Sequence, residues 1–217
     1  MLFSATYPDS VQDSIEEIVT EAQQIAIKKE SLQLDHIQQF YYRCDPKKKP
    51  EFIMDVFNTC CMTQTIIFMN TKSFAEKLHI MMRKNGYKST IIFGDMSPVE
   101  RDEMVNKFRN GEVSVIITTN MLARGLDVPE VEIVINFDVP TKKDLQENRH
   151  GDCETYLHRI GRTGRFGSKG LAISIYDRDE DKKYLDEIID HFAMQTKIKE
   201  LKGHEELKTL LEEIRQI

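Results

Sequence analysis

No stretch of this sequence reaches roughly eighteen consecutive apolar residues, the length a helix needs to span a bilayer. Nor does the N-terminus run from basic to apolar to small residues, so no secretory leader and no membrane partner is expected and the chain reads as soluble and unexported. Cysteine is sparse: Cys44, Cys60, Cys61 and Cys153 lack zinc-ligand spacing, and the adjacent pair is awkward to bridge. They read as buried thiols in a reducing compartment, with no metal site of their own. Positive charge is in deficit, the formal net charge being -6. That argues against long-range attraction to polyanions, and any nucleic-acid site must be local. The G-x-x-x-x-G-K-[ST] loop that cradles phosphates is missing as well, as are internal repeats and low-complexity tracts.

What is present is an alternation of short β-branched runs with amphipathic helical patterns, from about Gln64 onward. It is the signature of an α/β fold, a parallel sheet with helices on both faces. Strands are expected at 64–69, 89–93, 113–118, 131–137 and 170–176, with a further one at 36–43. Helices are expected at 50–58, at 72–84 before Asn85-Gly86, and from Ser97-Pro98 to Asn110-Gly111, with two more at 179–192 and 203–215.

The first thirty or so residues differ. Met1 to Phe3 reads as the stump of a strand, and 9–24 as a helix whose stripe of Val11, Ile15, Ile18, Val19 and Ala22 needs a partner. Residues 27–35 read as a linker, so 1–34 and 35–217 are expected to be separate units. Three arrangements are open for the helix: mobile, packed on its own domain, or exchanged between molecules in a swapped dimer.

In parallel sheets of this kind, ligands meet the loops at the carboxyl ends of strands. Those loops are Asn70-Thr71-Lys72, Gly94-Asp95 and 118–129, and with the His158–Gly167 segment before the last long strand they are expected to line one surface. That last segment holds three arginines, one lysine and no acid through Lys169; on charge alone it is an ordinary solvated basic patch. Arg159, Arg162 and Arg165 recur every third residue, so one helical turn would put them on a shared face. Guanidiniums held together call for an anion, and their planar forks suit phosphate.

LFSAT (2–6), IIFMNT (66–71), TTNMLARGLD (118–127) and HRIGRTGR (158–165) resemble motifs III, IV, V and VI of the DEAD-box ATP-dependent RNA helicases, in that order. The resemblance covers nearly the whole chain, and the ARGLD and HRIGRTGR pair is its most specific part. It implies a RecA-like C-terminal helicase domain preceded by the motif III end and last helix of the N-terminal RecA-like domain. The 17-residue stretch TKKDLQENRHGDCETYL (141–157) is similar to that of the messenger-RNA-export branch.

The resemblance implies roles residue by residue. Arg162 and Arg165 would be arginine fingers on the ATP γ-phosphate; Gly125 and Asp127 would lie near the ribose, where a carboxylate accepts from sugar hydroxyls. Thr71, Gly94, Asp95, Arg101 and Thr119 would contact single-stranded RNA without sequence preference. Ser4, Thr6, Arg124, His158 and Arg159 would couple the two domains. The family often has Gln-x-x-Arg where this chain has Pro98-Val99-Glu100-Arg101, which keeps the Arg and loses the Gln. ATP with Mg2+ would be held mainly by the N-terminal domain, because this sequence has no phosphate loop and no DEAD tetrapeptide. Further implied partners are that N-terminal domain and a nuclear-pore-associated activator. The implied location is cytoplasm and nucleus, at the cytoplasmic face of the pore. Two rival functions remain: a non-catalytic RNA- or protein-docking module, and a DNA translocase of the same superfamily.

Overall fold

The computed structural model describes residues 36–60, 64–119, 131–164, 168–195 and 197–215. They lie within one compact unit that begins at Leu34. Its elements are β1 (Ile37–Arg43), α1 (Lys49–Cys60), β2 (Thr65–Phe68), α2 (Lys72–Lys84), β3 (Ser89–Ile92), α3 (Pro98–Arg109), β4 (Val115–Thr118) and β5 (Ile133–Asn136). After them come β6 (Thr141–Lys143), β7 (Arg149–Gly151), α4 (Cys153–Ile160), β8 (Gly170–Tyr176), α5 (Asp179–His191), β9 (Ile198–Glu200) and α6 (His204–Arg215).

Seven strands form one parallel sheet in the order β3-β4-β2-β5-β8-β1-β9. Strand alternation divides the apolar side chains between two cores. In one row Ile117, Ile67, Ile135 and Ile173 are side-by-side partners across four strands. They pack with Phe52, Ile53, Leu78, Met82 and Leu207 from α1, α2 and α6. The neighbouring row, Ile116, Ile66 and Val134, faces the other way onto Val105 and Phe108 of α3. Burial on both faces explains why these strands read as continuous apolar runs. Among the described residues no helix is long and apolar enough to cross a membrane.

The strands and helices expected from residue 36 onward are present, with ends shifted by a few residues, while the strand stump at 1–3 and the helix at 9–24 lie outside the described residues. Four elements were not legible, β6, β7, α4 and β9. β9 has one buried apolar residue, Ile198, and is fixed by pairing along β1. The 141–157 stretch is a hairpin, β6-β7, followed by α4. Asp144 closes the hairpin loop by accepting from Gln146 and Asn148 backbone N–H groups, both at 2.8 Å. Asp152 then caps α4, accepting from Thr155 N–H at 3.0 Å.

Candidate functional site

Three neighbouring strands, β3, β4 and β2, end side by side. After them come Gly94-Asp95, Thr119 and Thr71, so the sheet brings four of the expected RNA residues to one edge. The loops are tied together. Thr118 Oγ1 donates to Ile92 O at 2.7 Å, Met69 N–H donates to Thr118 O at 2.9 Å, and Lys72 pairs with Asp95 while lying over the Phe93 ring. Lys72 offsets the negative charge that Asp95 would present to a phosphate, and its hydrogen bond holds the Asp95 carboxyl below the usual range.

The two helices that start at this edge are finished differently. Thr71 sits at the N-cap of α2 in an extended conformation, yet its side chain makes no capping bond. α3 has a full capping box: Ser97 accepts from Glu100 N–H, and Glu100 accepts from Ser97 N–H at 2.8 Å. A carboxylate therefore occupies the α3 start, held ionised by bonds from the Ser97 hydroxyl and backbone. A phosphate at the α3 start would therefore meet that carboxylate, and Arg101 would have to act through its own guanidinium. Arg101 is half-buried, and its Nε is buried with no hydrogen-bond partner among the described residues.

Beside this edge, at the ends of β2 and β5, lies a polar network that the sequence did not reveal. Arg159 has no exposed surface and reaches from the last turn of α4 over the Phe68 ring. Its guanidinium donates to Asp138 O at 2.8 Å, Asn136 Oδ1 at 3.2 Å and Asn70 Oδ1 at 3.3 Å. Asp138 in turn accepts from Asn70 N–H at 2.8 Å. Lys49 approaches the same carboxylate at 3.7 Å, pairs with Asp177 at 2.9 Å and donates to Phe137 O at 3.1 Å. Burial pulls the Arg159 guanidinium down to about 9, with Asp138 and Asp152 opposing, so it stays charged near neutrality. Asn70 lies inside the IIFMNT motif and Asp138 in an Asp-Val-Pro loop, and no spacing in the sequence marks either as a partner of Arg159.

The arginine turn lies elsewhere. α4 ends at Ile160, and the chain continues in tight turns in which Arg162 N–H donates to Arg159 O at 3.2 Å. Arg162 O accepts from Val131 N–H at 3.1 Å, and Thr163 bridges to Val131, just before β5 begins. Gly164, in a left-handed conformation at φ 69°, lies against His36 and Ile37 at the start of β1. So the turn stands at the amino ends of β1, β5 and β8, opposite the Thr71, Gly94-Asp95 and Thr119 edge. The expectation of one shared surface is corrected: the chain reverses through α4, which runs back across the sheet. The shared arginine face is corrected as well. Arg159 is enclosed, with both terminal guanidinium nitrogens bonded to protein groups, whereas Arg162 is half-buried beyond the helix end. His158, also half-buried, has its Nδ1 inside the fold.

Ser4, Thr6, the 9–24 helix, Arg124, Gly125, Asp127 and Arg165 lie outside the described residues. No group of three or more His, Cys, Asp or Glu that could hold a metal ion occurs among the described residues.

The sequence matches the family "Helicase conserved C-terminal domain" over residues 48–167. It is 40% identical over 198 residues to the human ATP-dependent RNA helicase DDX25, spanning 91% of this chain and 40% of that protein. S. cerevisiae Dbp5 bound to RNA and ADP BeF3 is similar in structure, with a TM-score of 0.85, 32% identity, and coverage of 98% of this chain and 54% of that one. A second S. cerevisiae Dbp5 structure, a variant bound to Nup159, Gle1, IP6 and ADP, gives a TM-score of 0.75, 30% identity, and coverage of 99% and 54%. The chain thus spans about half the length of these relatives or less.

Proposed function

This chain belongs to the DEAD-box RNA helicases, as a C-terminal helicase domain of the Dbp5-like messenger-RNA-export branch, and from that membership we propose that it is the second half of an ATP-driven clamp on RNA. Residues 1–34 are the end of the N-terminal RecA-like domain, and that domain holds ATP and Mg2+. The present domain faces the nucleotide with its amino edge: Arg162 and Arg165 neutralise charge that builds on the γ-phosphate during transfer, and Gly125 and Asp127 hold the ribose. With its carboxyl edge it holds the RNA backbone, through Thr71, Gly94, Asp95, Arg101 and Thr119. Arg124, His158, Ser4 and Thr6 couple the domains, and Arg159 acts by fixing the end of α4. Closure on both ligands bends one strand and disrupts a short duplex or an RNA–protein complex; hydrolysis reopens it.

The observation that carries this reading is the separation of the edges. Candidate RNA residues collect on three successive strand ends, while the arginine turn stands at the other end, where a second domain can be addressed. Two ligands can then be gripped at once without competing for space. The Dbp5 structure with Nup159, Gle1 and IP6 supports a nuclear-pore-associated activator as partner, and with it a place at the cytoplasmic face of the pore.

The test is ATP turnover in the protein that joins this chain to its N-terminal domain. Arg162→Ala together with Arg165→Ala abolishes RNA-stimulated hydrolysis; intact hydrolysis in the double variant would leave only a docking module. The 217-residue chain alone turns over negligible ATP. Competition between RNA and DNA of one sequence separates the helicase from a DNA translocase, since only the former discriminates through 2′-hydroxyls.

A further inference from the structure

We propose that the Asn70–Arg159 hydrogen bond is the mechanical link by which RNA on the carboxyl edge sets the position of Arg162 on the amino edge. The inference rests on the function proposed above and adds a positioning residue, Asn70, for which the motifs assigned no role.

Asn70 immediately precedes Thr71, a residue proposed to meet RNA, and is itself exposed. Its amide oxygen accepts from Arg159 Nη2 at 3.3 Å. Arg159 belongs to the last turn of α4, and Arg162 N–H donates to the Arg159 carbonyl at 3.2 Å. Thus one side chain joins the RNA loop to the residue on which the arginine turn is hung. The rest of the network decides which contact can give. Arg159 is held firmly by Asp138 O at 2.8 Å and by buried Asn136, whose amide donates to Ser174 Oγ at 3.1 Å. The Asn70 contact is the longest of the three and the one nearest solvent. Asn70 N–H is also clamped by Asp138 at 2.8 Å, so a phosphate pulling on the 70–71 loop moves the acceptors of Arg159 together. An eight-residue helix is too short to bend, so a shift of its buried arginine is passed to its end.

Such a link makes RNA and nucleotide binding reciprocal, and typical couplings of this kind are on the order of 5- to 150-fold. The test uses the two-domain protein, a uridine homopolymer RNA and ATP. The parent is expected to show RNA-stimulated turnover. In Asn70→Ala the ratio of RNA-stimulated to RNA-free turnover falls, and the tightening of RNA binding by nucleotide shrinks at least about fivefold, while RNA affinity without nucleotide changes little. Asn70 Nδ2 also donates to Val139 O at 3.1 Å, so Asn70→Asp gives up that bond but keeps an oxygen facing Arg159, and restores the ratio in part. Amide exchange gives a second readout that does not depend on turnover: RNA slows exchange at Arg162 N–H in the parent and not in Asn70→Ala. Full stimulation in Asn70→Ala, or equal loss in the Ala and Asp variants, would overturn the link. A parent without RNA stimulation would sink the proposed function itself, and the link with it.

Discussion

The two ends of the sheet are built by different means. At the carboxyl end, the loops after β2 and β5 are held by charge and hydrogen bonds: Arg159 and Lys49 are enclosed and Asp138 sits between them. At the amino end, the arginine turn is held by backbone bonds and by glycines that allow close approach, Gly164 against Ile37 and Gly170 against Thr163. The first end tolerates no unpaired charge; the second tolerates no extra volume. Each is weakened by its own kind of substitution, and the Asn70–Arg159 bond is what joins them.

The largest effect is expected at the amino end and on chemistry alone. Arg162→Ala should lower ATP turnover of the two-domain protein by about 10³-fold or more. Next is the carboxyl end. Lys49→Met removes a buried cation from Asp177 and Asp138 and should destabilise the chain by about 3–5 kcal/mol in urea titrations near neutral pH. The difference should shrink in acid. Against the upward pull of burial, hydrogen bonds from Lys49 and Asp181 hold the Asp177 carboxyl below its usual range. Its stabilisation is therefore complete above the unfolded carboxylate value of about 4 and is lost as pH falls through the lower folded value. Asp181, raised by burial and by its bond to Asp177, has the opposite sign and loses stability as pH rises past that range.

A methyl group tests the amino end. Gly170→Ala would drive Cβ into Thr163 and the Gly164 backbone, with an expected loss of about 2–3 kcal/mol measured by thermal unfolding. The smallest effect is at the α3 start, where Ser97→Ala opens the capping box and should cost about 1 kcal/mol without weakening RNA binding. A loss of RNA affinity there would mean that the α3 start, not only the open α2 start, touches the strand.

The order of strands and helices was legible because β2, β4 and β5 are short β-branched runs, and because α2 ends at Asn85-Gly86 and α3 runs from a Ser97-Pro98 cap to Asn110-Gly111. β9 was not, since a three-residue edge strand carries too few apolar residues to leave a pattern. Thr71, Gly94, Asp95 and Thr119 were found because a parallel sheet gathers the loops that leave its strands at one end. The position of Arg162 was misjudged for the same reason: it precedes a strand, and periodicity in the sequence continued a helix that ends at Ile160. Asn70 and Asp138 escaped because their significance lies in contacts with Arg159, 89 and 21 residues away in sequence. No spacing rule reaches so far.

Amide exchange across the sheet tests the two-edge account most directly, in the two-domain protein with RNA and a non-hydrolysable ATP analogue added singly. RNA alone should slow exchange most around residues 70–72, 94–95 and 119, with a smaller, Asn70-dependent effect at Arg162, and the analogue alone should slow it most around 131 and 162–164. Protection of one edge by both ligands, with the other edge untouched, would contradict the account.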